Sequence, residues 1–226
     1  MGILDLIFPI RCLECGKKGL YICKKCISSL RFSKGVCIEC EKPAIDGMTH
    51  VRCKKPLSLD GAVSVWIYEK AARKAIITLK YKFVLEIAKE LAYYISKYLK
   101  ENIHALPKDA LLTSVPLYTL RKNWRGFNQA SEVGKLIAVN MEWEFHEDLV
   151  VRKKQSRLQT ELSEEERREN IRGVFSFNNN YRSLITESKP LIIFDDVWTT
   201  GATLKEVAKV LKKNRVKKVW GLTIAR

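Results

Sequence analysis

The sequence predicts an α/β domain built on a mostly parallel sheet, preceded by a small metal-bound module. Three observations carry that expectation. All seven cysteines lie before residue 60, spaced in repeated two-residue knuckles. The rest of the chain alternates β-branched apolar runs with stretches of helical spacing. One of those apolar runs ends in Asp195-Asp196 and passes into a turn of threonine and glycine.

A chain of 226 residues holds one medium domain with its own core plus a metal-stapled appendage. The division expected is a cysteine-rich double zinc ribbon over 1–58 and the larger domain over 59–226. Residues 2–8 are apolar but short, carry Asp5, and lack the basic leader and cleavage site of a secretory signal. No apolar run approaches the ~20 residues of a membrane helix. A cytoplasmic protein with reduced thiols is therefore expected. The formal net charge of +16 suits polyanionic partners, because each phosphate neutralised by Lys or Arg releases counterions. Charge alone is equally consistent with lysine-rich helix faces that keep the protein soluble.

In the N-terminal module, Cys12-x-x-Cys15, Cys23-x-x-Cys26 and Cys37-x-x-Cys40 are followed by His50-x-x-Cys53 at the same spacing. Two donors separated by two residues turn toward one tetrahedral ion, and the amides of the tight loop stabilise the sulfur charge. Pairing by proximity gives one Zn from Cys12, Cys15, Cys23 and Cys26 and another from Cys37, Cys40, His50 and Cys53. A crossed pairing satisfies the same spacing. A segment this poor in large apolar side chains does not fold on burial alone, whereas a structural zinc contributes on the order of 10 kcal/mol.

The larger domain is expected to contain strands at 62–68, 111–115, 148–151, 191–194 and 219–224, with helices at 71–80, 85–99, 129–139 and 204–213. That alternation argues for a parallel sheet covered on both faces. At the carboxyl end of a parallel strand, side chains reach the ligand crevice, so Asp195 and Asp196 are placed to accept hydrogen bonds from vicinal sugar hydroxyls. Thr199, Thr200, Gly201, Ala202 and Thr203 then supply amides and hydroxyls at the positive end of the next helix, where a phosphate monoester binds. Neither a Gly-Lys-Thr phosphate loop nor a G-x-G-x-x-G turn is present, which removes the basis for an ATPase or dinucleotide reading.

As a whole, the stretch Leu-Ile-Ile-Phe-Asp195-Asp196-Val-Trp-Thr199-Thr200-Gly201-Ala202-Thr203 resembles the phosphoribosyl-pyrophosphate signature of type I phosphoribosyltransferases. The resemblance implies that fold, and phosphoribosyl pyrophosphate bound with Mg. In such a fold the loop after the earlier strand holds pyrophosphate. Here that loop is Pro116-Leu117 through Arg121, followed by Arg125-Gly126-Phe127-Asn128-Gln129-Ala130. Arg121 and Arg125 bring planar forks suited to phosphate oxygens, although Arg125 serves equally well as an anchor for the turn at Gly126. In such a fold a loop like the polar stretch at 152–160 closes over the reacting centre; the alternative is a solvated linker followed by a helix at 163–172 capped by Ser163.

The knuckles, the Arg-Gly-Phe-Asn-Gln block and the acidic-threonine turn, in that order, are similar to the ComF family of competence proteins and its GntX-type relatives. This kinship implies a part in natural transformation and DNA uptake, with incoming single-stranded DNA and DNA-uptake or recombination proteins as partners. Local features that suit DNA are Lys205, Lys209, Lys212, Lys213, Arg215, Lys217 and Lys218 near the C-terminus, with Trp198 as a candidate stacking surface. No residue identifies a catalytic group or an acceptor. An active phosphoribosyltransferase on a base or amine, without a DNA role, is the competing expectation.

Overall fold

The computed structural model describes residues 9–81, 85–117, 126–153, 169–185 and 189–226. The strands are β1 (Gly61–Trp66), β2 (Leu111–Ser114), β3 (Glu144–Phe145), β4 (Val150–Arg152), β5 (Phe175–Phe177), β6 (Leu191–Val197) and β7 (Val219–Ala225). The α-helices are α1 (Lys24–Ser28), α2 (Lys70–Tyr81), α3 (Leu85–Asn102), α4 (Gln129–Met141) and α5 (Ala202–Lys213). Among the described residues, the central sheet runs β1-β7-β6-β2-β3 and every pairing in it is parallel.

Helices cover both faces, which is why β1, β6 and β7 read as nearly unbroken apolar runs. Along β6 the alternation sorts neighbours to opposite sides. Ile192 and Phe194 join the core with α2, α3 and α4, while Leu191 and Ile193 join the core with α5. After β2 the chain crosses by α4 to β3, away from β6; after β6 it crosses by α5 to β7, the other way. The carboxyl ends of β2 and β6 therefore flank a switch point, the place where an open α/β sheet leaves a crevice.

Two expectations need correction. The strand foreseen at 148–151 appears as β4, but it does not enter the parallel sheet. It pairs antiparallel with β5, a strand too short to announce itself in the sequence. The short β3 was likewise not foreseen. Most of the helix expected at 163–172, and the polar stretch at 154–160, lie outside the described residues.

The module is packed onto the larger domain at two places. Cys12, Ile22, Cys23, Cys26 and Leu30 belong to the core on the α3 side, and Ile38 belongs to the core on the α5 side. Glu90 on α3 accepts hydrogen bonds from the amides of Tyr21 at 3.0 Å and Ile22 at 2.8 Å. No described helix is long and apolar enough to cross a membrane.

Candidate functional site

At the end of β6, Asp195 and Asp196 fall on opposite faces of the sheet. Asp196 lies on the side of α2 and α4, where its Oδ2 accepts from Gln129 Nε2 at 3.0 Å and pairs with Lys80 Nζ at 2.9 Å. Asp195 Oδ1 accepts from the Asp196 amide at 2.8 Å. Among the described residues, each carboxylate thus has one committed oxygen and one without a partner. Asp196 is buried and Asp195 half-buried.

Burial and charge shift both Asp195 and Lys80. Burial, followed by the Asp196 charge, pushes the Asp195 carboxyl up to about 7, against the opposing pull of the Asp196 amide, Lys80 and Arg152. For Lys80, burial acts to lower the pKa, but the adjacent Asp196 and then Asp195 outweigh it and hold the ammonium above the usual lysine range.

The turn that follows is shaped by its sequence. Gly201 adopts φ +69°, a left-handed conformation that favours glycine, and its amide precedes the first turn of α5. The Thr200 hydroxyl accepts from the Ala202 amide at 3.3 Å. Thr199 is exposed, and Ala202 and Thr203 are half-buried. The first-turn amides of α5 that lack intrahelical partners lie beside these side chains, a geometry suited to an anion.

On the other side of the crevice, Asn128 caps α4 by accepting from the Ala130 amide at 3.1 Å, and donates to the Val115 carbonyl at 3.1 Å. Pro116 and Leu117 line a cleft of about 170 Å³ together with Asn128, Glu147, Asp148 and Arg152. Arg121 and Arg125 lie outside the described residues. Trp198, expected as a stacking surface, is instead buried at 3% exposure, with the Arg226 guanidinium 4.6 Å from its ring centroid. Its indole is enclosed because β6 carries it into the core shared with Ile38 and Leu204.

The basic C-terminal helix is also less free than its composition implied. Lys205, Lys209 and Lys212 pair with Glu39, Glu206 and Asp60, whereas Lys213 at its last position and Arg215 and Lys218 beyond it are exposed. Lys80 and Gln129 were missed as parts of the site. Gln129 sits in a block already singled out, but nothing local marks Lys80, which reaches Asp196 only through the tertiary fold.

The metal donors gather into two groups, Cys12, Cys15, Cys23 and Cys26, and Cys37, Cys40, His50 and Cys53, each within 4.8 Å. Pairing by proximity is therefore the one formed. The donor sets fit zinc. His50 Nε2 donates to the Pro43 carbonyl at 3.0 Å, which leaves Nδ1 as the donor atom, 3.3 Å from Cys40 Sγ. In the first group burial acts to raise the Cys12 thiol, but amides of Cys15, Cys23 and Glu14 outweigh it and lower it to about 6. Burial and the neighbouring thiols push Cys26 up to about 12. Such crowding of sulfurs is what a divalent cation relieves.

Residues 3–54 match the family described as a double zinc ribbon domain. The chain is 30% identical over 203 residues to the DNA utilization protein YhgH of Escherichia coli (strain K12), covering 85% of each protein. It is 29% identical over 220 residues to competence protein F of Haemophilus influenzae, covering 95% of this chain and 90% of that one. Among solved structures, the allosteric regulatory enzyme of purine biosynthesis superposes with a TM-score of 0.41 at 13% identity, over 66% of this chain and 30% of that larger one. Adenine phosphoribosyltransferase from Leishmania tarentolae gives 0.34 at 14% identity, over 62% and 71%. The fold assignment rests on the chain's own topology: a parallel-sheet α/β domain of the expected class behind a double zinc ribbon.

Proposed function

This chain belongs to the ComF family of competence and DNA-utilization proteins, and from that premise we propose that it binds phosphoribosyl pyrophosphate with Mg at the end of β6 and single-stranded DNA on its basic surface. In this reading residues 1–58 are the zinc-binding unit and 59–226 the sugar-phosphate-binding unit, working in the cytoplasm beside DNA-uptake or recombination proteins.

The observation that supports it best is the division of labour within the acid pair. Lys80 and Gln129 hold one oxygen of Asp196, and the Asp196 amide holds one of Asp195. The two remaining oxygens suit the adjacent hydroxyls of a ribose. Thr199, Thr200, Gly201, Ala202 and Thr203 receive the 5′-phosphate at the α5 N-terminus, and Pro116 and Leu117 begin the pyrophosphate loop that continues through Arg121 and Arg125. Magnesium neutralises the diphosphate.

Calorimetric titration of the full chain with phosphoribosyl pyrophosphate and Mg tests the first half. Saturable binding is expected in the wild type and its loss in Asp195→Asn/Asp196→Asn; equal binding by both proteins refutes the site. For DNA, log affinity should fall linearly with log salt, with a shallower slope in Lys213→Ala/Arg215→Ala/Lys218→Ala.

A second reading is favoured by the cleft of about 170 Å³ lined by Pro116, Leu117 and Arg152, the last of which also acts on Asp195. It provides room for a base or amine acceptor, making the protein an active phosphoribosyltransferase. Release of pyrophosphate that depends on an added nucleobase or amine would support it.

A further inference from the structure

The knuckle of the second metal group is packed against the sugar-phosphate turn. Ile38, between Cys37 and Cys40, is wholly buried in the core that holds Trp198 and Leu204. A Cβ placed on Gly201 would stand 3.2 Å from Ile38 Cγ1 and 3.0 Å from Trp198 Nε1. The next residue, Glu39, pairs with Lys205 in the first turn of α5 at 3.5 Å. Glu41 pairs at 3.6 Å with Arg226, the residue that covers Trp198. One apolar contact and two ion pairs thus join residues 38–41 of the ribbon to both ends of the turn.

The path of that knuckle depends on its metal donors. Hydrogen bonds from the Cys37 amide to the Lys42 carbonyl at 2.9 Å, and from the Glu41 amide to the Cys37 carbonyl at 2.8 Å, close a loop too small to hold its shape alone. The first metal group offers a contrast. Its residues pack with α3, and Glu90 fixes the backbone there; among the described residues this group makes no contact of this kind to the turn.

We propose that the second zinc site positions the sugar-phosphate turn, with Ile38, Glu39 and Glu41 as positioning residues through which metal occupancy sets the order of residues 198–205 and their affinity for a phosphate ester. The affinity half rests on the reading of that turn given above; the ordering half does not. Zinc held by Cys37, Cys40, His50 and Cys53 keeps Ile38 against Gly201, and the turn then presents its amides in one arrangement, so the ligand bears no ordering cost.

The test uses the full chain. Zinc content is measured by elemental analysis, hydrogen exchange by mass spectrometry over 198–205, and affinity by titration with phosphoribosyl pyrophosphate and Mg. Cys40→Ser should lose zinc from the second group, speed exchange of 198–205 by about tenfold or more, and weaken the ligand by a similar factor. Ile38→Ala and Glu39→Gln keep every metal donor and should show the same effects with full zinc content, while Ile38→Val restores them. Cys15→Ser, which disturbs the first group, should leave 198–205 unchanged. Should Cys40→Ser fail to fold, the Ile38 and Glu39 variants decide. Unchanged exchange in those variants, or an equal change in Cys15→Ser, overturns the proposal. Faster exchange in a protein whose wild type ignores the ligand would uphold the coupling and sink the phosphoribosyl pyrophosphate reading instead.

Discussion

At Asp195 the group proposed to bind the sugar stands in an environment that works against its charge. Its folded pKa of about 7 exceeds the ordinary 3.8 because of burial first and Asp196 second. Between those values the native state keeps a proton that the unfolded chain has shed, so the group's contribution to stability is whole below about pH 4 and falls as pH rises toward 7. Asp195→Asn should therefore melt above the wild type at pH 8, by about 2–4 °C for each kcal/mol regained, with the gap closing by pH 4 in scanning calorimetry. The same substitution should abolish ligand binding, the usual opposition between a poised site and a stable one. Gly201 makes the complementary case for shape. A methyl there meets Trp198 and Ile38 at close range in a backbone conformation with φ +69°, so Gly201→Ala should cost about 1–3 kcal/mol, read from the urea midpoint.

Among the elements, the junction between ribbon and sheet turns on Asp60. Its carboxylate accepts from Lys212 Nζ on α5 at 2.7 Å and from the Val219 amide at the start of β7 at 2.9 Å, and pairs with Lys54 of the module at 3.4 Å. Burial acts to raise its pKa, but Lys212 and the Val219 amide prevail and lower it. A depressed carboxylate stabilises the fold above about pH 4 and loses that contribution as pH falls through its folded value. Asp60→Asn should cost about 2 kcal/mol at pH 7, with less effect at pH 3, when denaturant melts are compared across pH. The same contact explains why Lys212, counted in the sequence as part of a basic helix, has little left to offer a polyanion.

For the whole molecule, the two metal groups bear on different sides of one sheet. Cys12, Cys23 and Cys26 share the core with α2 and α3, while Ile38 shares the core with α5. Removing zinc with a chelator should therefore unfold the ribbon and also lower the melting temperature of the sheet domain, since both of its cores lose a wall. Circular dichroism at a helix band and near-ultraviolet aromatic signals should move together; a sheet domain that melts unchanged would separate the two units energetically.

Much of this arrangement was legible because the signals are local. A two-residue cysteine spacing, strand alternation, and an acid pair before Thr-Thr-Gly are properties of a few neighbouring residues, and steric and coordination chemistry act on them directly. From those alone came the two units, the parallel strands, the metal donors and the acidic turn. The partners of those groups were not legible, because a sequence of local periods does not say which distant side chains meet. Gln129 reaches Asp196 across 67 positions, Lys80 arrives from α2, and β4 leaves the sheet for β5. Trp198 is buried rather than presented because Ile38 and Arg226 close over it. Which oxygen of each carboxylate stays open, and which zinc knuckle supports the turn, follow from the packing of helices on a twisted sheet, where contacts between remote segments decide the outcome.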